Sequence, residues 1–305
     1  MKMRVMGFEE YGPPEVLKLM EQEVPEAGPG LVRVRVKAAG VQPADCAVRQ
    51  GWRLPGARTE LPAVPGNEFA GIVDRVGAGV SGFAPGDEVL GFRMLGCYAE
   101  YVVVPPEQLV RKPAGMPWEE AGSLSASGQT AHTAVELLRI APGETVFVNG
   151  AAGGVGTIAV QLACGLGAAV IGSASPANHD YVRSLGAVPV AYGEGLADRL
   201  RALAPRIDAA LDAAGGEGLE AAAELVRDRS RVGTIVAFER AEELGITPLR
   251  SMRSAERLAA LADLYEAEKL KLHIRRSLPL EEAAEAHREV EKGHGRGKIV
   301  LRVAD

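Results

Sequence analysis

The glycine-rich segment VFVNGAAGGVG, residues 146–156, constrains the fold more than any other stretch of the chain. Three apolar residues lead into a turn with almost no side chains, in which Ala151, Gly153 and Gly156 have the spacing A-x-G-x-x-G. This spacing is typical of a strand that turns tightly into a helix, because Gly153 lets another group approach the backbone and Gly156 lets the helix pack on the strand. Helical stretches and short apolar runs alternate after Ala121, which predicts βαβ units and a buried parallel sheet.

The first third of the chain has a different hydrophobic period. The segment LVRVRVK, residues 31–37, alternates valine with arginine or lysine, as a strand with one solvated face does. Short runs of the same kind follow, with glycine and proline between them, and GKIVLRV at 297–303 returns to this pattern. The sequence therefore predicts an antiparallel, barrel-like β domain that the C-terminal segment completes.

Composition narrows the range of partners. At 305 residues the chain is long enough for two domains, and its net charge of −6 provides no basic surface for nucleic acid or an anionic membrane. No apolar run reaches the roughly 20 residues of a membrane helix, and the first residues lack the pattern of a signal peptide. The three cysteines, Cys46, Cys97 and Cys164, suit a reducing compartment. We expect a cytoplasmic protein that acts on a small molecule and contacts neither nucleic acid nor membrane.

The helix that begins in the glycine-rich turn predicts an anion site. Backbone N–H groups without a helical partner, together with the helix dipole, favour a phosphate there. Such a turn also occurs as a simple tight connection, but the strand before it, the helix after it and the spacing of the next strand favour a dinucleotide pyrophosphate. The predicted contacts are Ala151, Gly153, Gly154, Val155 and Gly156.

The end of the next predicted strand indicates which dinucleotide binds. A site for NAD usually has Asp or Glu there to hold the ribose 2′-OH, whereas this chain has Gly172-Ser173-Ala174-Ser175. Hydroxyl groups without a carboxylate accept the 2′-phosphate of NADPH, and His179 and Tyr192 are further predicted contacts. The alternative is that Ser173 and Ser175 only cap the helix that follows. We expect NADPH as the cofactor.

Motifs along the whole chain resemble the medium-chain dehydrogenase/reductase family, in its zeta-crystallin-like quinone oxidoreductase branch. The motifs that carry the resemblance are GVQPADCAVRQG (40–51), PGNEFAG (65–71), GCYAEYVVVP (96–105), GQTAHTAV (128–135), NGAAGGVG (149–156) and DAAGG (212–216). The resemblance implies an α/β protein with a GroES-like β-barrel catalytic domain, residues 1–122 and 270–305. It also implies a Rossmann domain with a doubly wound parallel sheet that binds NADPH, residues 123–269. The apolar segment GTIVAF at 233–238 is predicted to be a strand that ends at Phe238, and because members of the family pair edge strands, it predicts a homodimer.

The resemblance also implies that the protein acts without metal. Zinc alcohol dehydrogenases have a Cys where this chain has Gln42 and a His where it has Asn67, and they carry four closely spaced cysteines that are missing here. Neither a catalytic nor a structural tetrahedral zinc site can be built from the remaining residues.

Family positions suggest the remaining site residues. Gln42 and Asn67 are the predicted catalytic residues, and Asp45 and Arg49, which could pair across one helical turn, are expected to support them. The resemblance further implies that Trp52 and Phe92 line the substrate pocket and that Thr130 and Phe238 lie near the coenzyme.

These features together predict an NADPH-dependent reductase. Without a metal to stabilise an alkoxide, hydride transfer to a quinone or to an α,β-unsaturated carbonyl is favoured over alcohol oxidation. Reduction of an enoyl thioester is a close variant. The alternative function is an NADPH-binding redox sensor or structural protein with little catalytic activity.

Overall fold

The structure, a computed structural model, describes residues 1–52, 60–293 and 295–303. Its strands, numbered along the chain, are β1 Lys2–Gly7, β2 Lys18–Glu23, β3 Val32–Val41, β4 Glu68–Val76, β5 Glu88–Phe92, β6 Tyr101–Val104, β7 Leu109–Arg111, β8 Thr145–Asn149, β9 Ala169–Ala174, β10 Val188–Ala191, β11 Ala209–Asp212, β12 Val232–Thr234, β13 Thr247–Pro248, β14 Ile274–Pro279 and β15 Lys298–Arg302. Its α-helices are α1 Pro43–Arg49, α2 Trp118–Leu137, α3 Gly154–Gly165, α4 His179–Ser184, α5 Leu196–Leu203, α6 Glu217–Leu225, α7 Phe238–Leu244, α8 Ala255–Glu266 and α9 Ala283–Glu291. No helix in these described ranges is long and apolar enough to cross a membrane.

The chain divides into two compact units. Unit 1 contains Met1–Ala126, Ser254–Glu266 and the chain from His273 onward, and unit 2 contains Ser127–Arg253 and Ala267–Leu272. The sequence-based division at 122/123 and 269/270 differs from this one mainly at Ser254–Glu266. That segment joins unit 1 because α8 packs against β7 and the Tyr265 side chain forms a hydrogen bond with Glu120.

Unit 1 is built on a mainly antiparallel sheet with the strand order β14-β15-β3-β4-β5-β7, and β6 also pairs with β3. The valines of the alternating segment, Val32, Val34 and Val36, are fully buried in its apolar core. The C-terminal strand β15 pairs antiparallel with β3, so the end of the chain completes the sheet as predicted.

Unit 2 is a six-stranded parallel sheet with the order β10-β9-β8-β11-β12-β13. This order, in which the chain starts in the middle and extends to both sides, is that of a doubly wound nucleotide-binding fold. The predicted α/β class is confirmed. In such a sheet ligands bind beyond the carboxyl ends of the strands, where the strand order reverses between β8 and β11.

The structure corrects the predicted strand at 233–238. The strand ends at Thr234, and Phe238, predicted to end it, is the first residue of α7. β12 lies between β11 and β13, so it is not an edge strand and cannot carry the pairing on which the homodimer was based.

The homodimer stays a prediction from family resemblance. Light scattering should return twice the 32.0 kDa of one chain, and a mass of one chain at micromolar concentration would contradict it.

Candidate active site

The glycine-rich turn of unit 2 connects β8 to α3. Gly150 has a φ of +82°, a conformation that side chains disfavour, and Gly153 is the extended residue immediately before the helix. A Cβ on Gly156 would overlap the carbonyl oxygen of Gly150, so α3 packs on the turn only because this residue is glycine. The first N–H groups of α3 have no partner within the helix and point out of its N-terminus, as a pyrophosphate site requires.

A buried hydrogen-bond network of Ser173, Asn149 and Asp212 supports this turn. The Ser173 hydroxyl donates to Asn149 Oδ1 at 2.6 Å and accepts from the Gly150 N–H at 2.9 Å. Asn149 Nδ2 in turn donates to Asp212 Oδ1 at 2.7 Å and to the Gly215 carbonyl at 2.9 Å. Because Ser173 is buried and its hydroxyl is already bonded in both directions, its predicted contact with a 2′-phosphate needs correction. We assign Ser173 to the support of the turn.

The same network reaches the neighbouring strands. Thr234 Oγ1 donates to Asp212 Oδ2 at 2.7 Å and accepts from the N–H groups of Val236 and Ala237. The network therefore joins the carboxyl ends of β8, β9, β11 and β12. Sequence reasoning missed it, although a polar residue at or next to the end of each of these strands was a usable signal.

Replacing Ser173 by alanine should weaken NADPH and NADH binding by the same factor, about fivefold. The substitution removes a buried hydrogen bond from the turn, worth about 1 kcal/mol, and leaves the 2′ position untouched. Fluorescence titration with both coenzymes measures this. Weaker binding of NADPH alone would restore the original assignment of Ser173 to the 2′-phosphate.

Ser175 and Tyr192 lie at the edge of the sheet that the carboxyl ends of its parallel strands form. They follow β9 and β10, whose last residues Ala174 and Ala191 are direct neighbours across the two strands. The Ser175 hydroxyl is half-buried and accepts from Asn178 Nδ2 at 3.1 Å, and Tyr192 is 51% exposed. These two predicted residues are thus brought together.

His179 and Arg199 add polar groups near this edge. His179 is the first residue of α4, and its Nε2 atom has no hydrogen-bond partner. The Arg199 guanidinium donates to the carbonyl oxygens of Ala191 at 3.0 Å, Gly193 at 2.9 Å and Glu194 at 2.8 Å. Sequence reasoning did not identify Arg199, which fixes the loop that carries Tyr192.

The other two predicted coenzyme residues lie elsewhere in unit 2. Thr130 is half-buried within α2. Phe238 begins α7, and the Arg250 guanidinium lies 5.4 Å from the centre of its ring.

In unit 1, Gln42 and Asn67 are both buried and both contact Asp45. The Asp45 carboxylate accepts from the Gln42 N–H at 2.8 Å, Asn67 Nδ2 at 3.2 Å, the Gly66 N–H at 3.2 Å and the Tyr98 hydroxyl at 3.3 Å. Burial raises the pKa of Asp45 to about 7, although the bonds from the Gln42 N–H and the Tyr98 hydroxyl favour the ionised form. Asp45 therefore fixes the backbone at Gln42 and one N–H of the Asn67 amide.

A second carboxylate, Glu68, holds the Gln42 side chain. Glu68 accepts from Gln42 Nε2, from Lys298 Nζ at 3.1 Å and from the Ala126 N–H at 2.6 Å. The two predicted catalytic amides are thus each bonded to a buried carboxylate, and they lie in one polar cluster. Lys298 and Glu68 were not predicted.

Arg49 does not pair with Asp45. Its guanidinium is buried and bonds to Glu291 on α9 instead, because α1 packs against α9 and brings the two side chains together. His287 on the same helix bonds to the Tyr98 hydroxyl at 3.2 Å, and burial lowers the pKa of His287 to about 3. His287 is therefore neutral at physiological pH.

The predicted pocket residues fall in different places. Phe92 is buried at the end of β5, directly opposite Glu68 on β4. Trp52 follows α1 and is 43% exposed.

In the part of the chain that the structure describes, no group of three or more His, Cys, Asp or Glu side chains has the geometry to hold a metal ion. The Gln42 and Asn67 amides bond to carboxylates through their nitrogen atoms, an arrangement that does not fit a zinc ligand set.

Comparison with known proteins agrees with this architecture. Residues 28–114 match the alcohol dehydrogenase GroES-like domain, and residues 185–301 match the zinc-binding dehydrogenase family. The quinone oxidoreductase of Pseudomonas aeruginosa is 32% identical over 96% of this chain and 98% of its own length. The NAD-dependent alcohol dehydrogenase of Sulfolobus acidocaldarius is 31% identical over 99% of this chain and 100% of its own length.

A solved structure is similar over the same extent. The quinone oxidoreductase from Coxiella burnetii superposes with a TM-score of 0.91 at 31% identity and covers 100% of both chains. Three observations agree: the glycine-rich turn on a doubly wound sheet, the antiparallel unit that the C-terminal strand completes, and these full-length similarities. The chain belongs to the medium-chain dehydrogenase/reductase family of nicotinamide-dependent oxidoreductases.

Proposed function

We propose that the protein is an NADPH-dependent reductase that transfers hydride to a quinone or an α,β-unsaturated carbonyl without a metal. The observation that carries this proposal is the pair of buried amides, Gln42 and Asn67, each bonded to its own carboxylate. Zinc alcohol dehydrogenases resemble this chain but have Cys and His at these positions. An amide pair has no Lewis acidity, so it suits an acceptor that is already activated by conjugation. The quinone oxidoreductase relatives support the same acceptor class.

The residues of unit 2 fit a dinucleotide. The N-terminus of α3 and the small residues of the turn would hold its pyrophosphate, with the Asn149–Ser173–Asp212 network keeping the turn in place. Bound NADPH would supply the hydride. Ser175, Tyr192 and Arg199 supply hydroxyl groups and one positive charge at the edge where the 2′-phosphate is expected, and β9 ends without a carboxylate. The Sulfolobus relative is described as NAD-dependent, so the preference for NADPH rests on these residues of this chain.

Gln42 and Asn67 would act on the acceptor oxygen. A primary amide has two N–H hydrogens, and the bond to Glu68 uses one of those on Gln42. The second hydrogen can donate to the oxygen on which negative charge develops during hydride transfer, as oxyanion-binding groups do.

The proton that completes the reduction would come from solvent. The resemblance to the family implies a possible tyrosine proton donor two positions after Asp45, but this chain has Ala47 there. Tyr98 does not replace that tyrosine, since its hydroxyl is buried between Asp45 and His287 and burial raises its pKa well above its usual value. An enolate or a reduced quinone is basic enough to take a proton from water.

Oxidation of NADPH in the presence of quinones, enones and enoyl thioesters tests the proposal. We expect turnover with at least one of these classes, well above a heat-inactivated control. Tight NADPH binding without turnover on any of them would favour the redox sensor or structural protein instead.

Removal of metal should leave the activity unchanged. Because Gln42 and Asn67 bond to carboxylates, no zinc is needed to complete the site. Protein treated with a chelator and then freed of it should keep its full kcat, and elemental analysis should find far less than one zinc per chain. Stoichiometric zinc whose loss abolishes activity would overturn the metal-independent mechanism.

A further inference from the structure

A buried ion pair lies directly behind the candidate catalytic glutamine. Glu68 at the start of β4 is 0% exposed, and Lys298 at the start of β15 is 5% exposed. The two residues are 230 positions apart in sequence, and Lys298 Nζ lies 3.1 Å from Glu68 Oε1. The same carboxylate oxygen accepts the bond from Gln42 Nε2, while Oε2 accepts from the Ala126 N–H at 2.6 Å.

Stability alone is a poor explanation for this pair. Moving two charges out of water costs several kcal/mol per ion, and apolar residues of similar size often stabilise a fold as well or better. The surrounding backbone is also adapted to Glu68: a Cβ on Gly40 would overlap Glu68 Oε1, so β3 can approach the carboxylate only with glycine there. A buried charge that is retained at such a cost, and bonded to a candidate catalytic amide, points to a role in the site.

We propose that Glu68 is a positioning residue for Gln42 and that Lys298 is its counter-charge. Glu68 binds one N–H of the Gln42 amide and so fixes the rotation of the side chain, which turns the remaining N–H toward the acceptor oxygen. Lys298 places its positive charge beside the Glu68 carboxylate and holds that side chain against β15. This inference rests on the proposed function, because it assigns a geometric role within that site.

The first test combines Glu68→Gln with Gln42→Ala in a double-mutant cycle. Glu68→Gln should lower kcat about tenfold and leave the Kd of NADPH unchanged, because it affects only the orientation of an amide used in the chemical step. In the Gln42→Ala background the same substitution should cost no further activity, since there is no amide left to orient. Asp74→Asn is the matched control: Asp74 lies on the same strand and pairs with Arg33 at 2.6 Å, and its loss should leave kcat unchanged.

Lys298 gives a second, independent readout. Lys298→Met should reduce kcat as Glu68→Gln does, and Lys298→Arg should restore it to within about threefold, since it keeps the charge. Should Glu68→Gln fail to fold, the neutral double variant Glu68→Gln/Lys298→Met takes its place in the cycle.

The outcomes separate this inference from the proposed function. Equal losses from Glu68→Gln with and without Gln42 would show that Glu68 acts independently, and the positioning role would be wrong. An unchanged kcat in Glu68→Gln, or a similar loss in Asp74→Asn, would also overturn it. A wild-type protein that reduces none of the acceptors fails at the earlier step, and this inference then falls with the proposed function.

Discussion

Replacing Gln42 by alanine is expected to lower kcat by about 100-fold, the size of effect found when one oxyanion-binding donor is removed from an active site. The structure gives the physical reason: the amide is buried, and both its backbone N–H and its side chain are fixed by carboxylates. Because the interaction is made mainly in the transition state, the KM for the acceptor should change much less than kcat. Steady-state kinetics with the best acceptor measures both constants.

Two features make this result interpretable. Activity should be reduced but not abolished, since the coenzyme and the acceptor still bind and Asn67 keeps its amide. Gln50→Ala is the control, because Gln50 is an exposed glutamine at the other end of α1 that bonds to Glu291. If Gln42→Ala has the kinetics of the wild type, Gln42 does not belong to the catalytic machinery.

Much of the fold could be predicted from local patterns in the sequence. The alternating valines of β3 are buried on one face because a strand has a period of two, and the glycine spacing at 151–156 produces a strand, a turn and a helix. Both patterns depend only on residues within a few positions of one another. These two predictions therefore do not depend on how the rest of the chain packs.

The errors in the fold have an equally physical origin. GTIVAF has three β-branched residues in a row followed by two more apolar residues, so its hydrophobic period does not show where the strand ends. In the structure the Thr234 hydroxyl accepts from two backbone N–H groups immediately after the strand, which ends β12 and leads into α7. β13 forms the edge of the sheet instead. A strand of two residues is too short to be recognised from the sequence, so its position depends on long-range packing that local patterns do not reveal.

Prediction of the site was limited in the same way. Gln42 and Asn67 were identified by their positions in family motifs, and the structure brings both into one polar cluster. Glu68, which holds the Gln42 side chain, lies 26 positions further along the chain, and Lys298, which bonds to Glu68, lies on the last strand. Ser173 was assigned to the 2′-phosphate because the sequence does not reveal that its hydroxyl bonds to Asn149.

Ser175→Asp is expected to lower the ratio of kcat/KM for NADPH over NADH by at least about tenfold, the equivalent of roughly 1.4 kcal/mol. The wild type should favour NADPH, because β9 ends without a carboxylate and Arg199 contributes a positive charge at that edge. An aspartate at Ser175 would repel a 2′-phosphate and accept hydrogen bonds from the hydroxyls of an unmodified ribose. Ser175 is the better place for it than Ala174, which is packed among apolar side chains.

The substitution should be tolerated, since the Ser175 side chain makes no capping bond to the backbone and an aspartate there can still accept the bond from Asn178 Nδ2. Ser184→Asp is the matched control: it adds the same charge at the exposed last residue of α4, away from the ends of β9 and β10, and should change the ratio less than twofold. A wild type that uses NADH as well as NADPH would contradict the coenzyme assignment itself. In that case Ser175 has only a local role, as the residue before the turn that follows β9, and the missing carboxylate carries no information about the coenzyme.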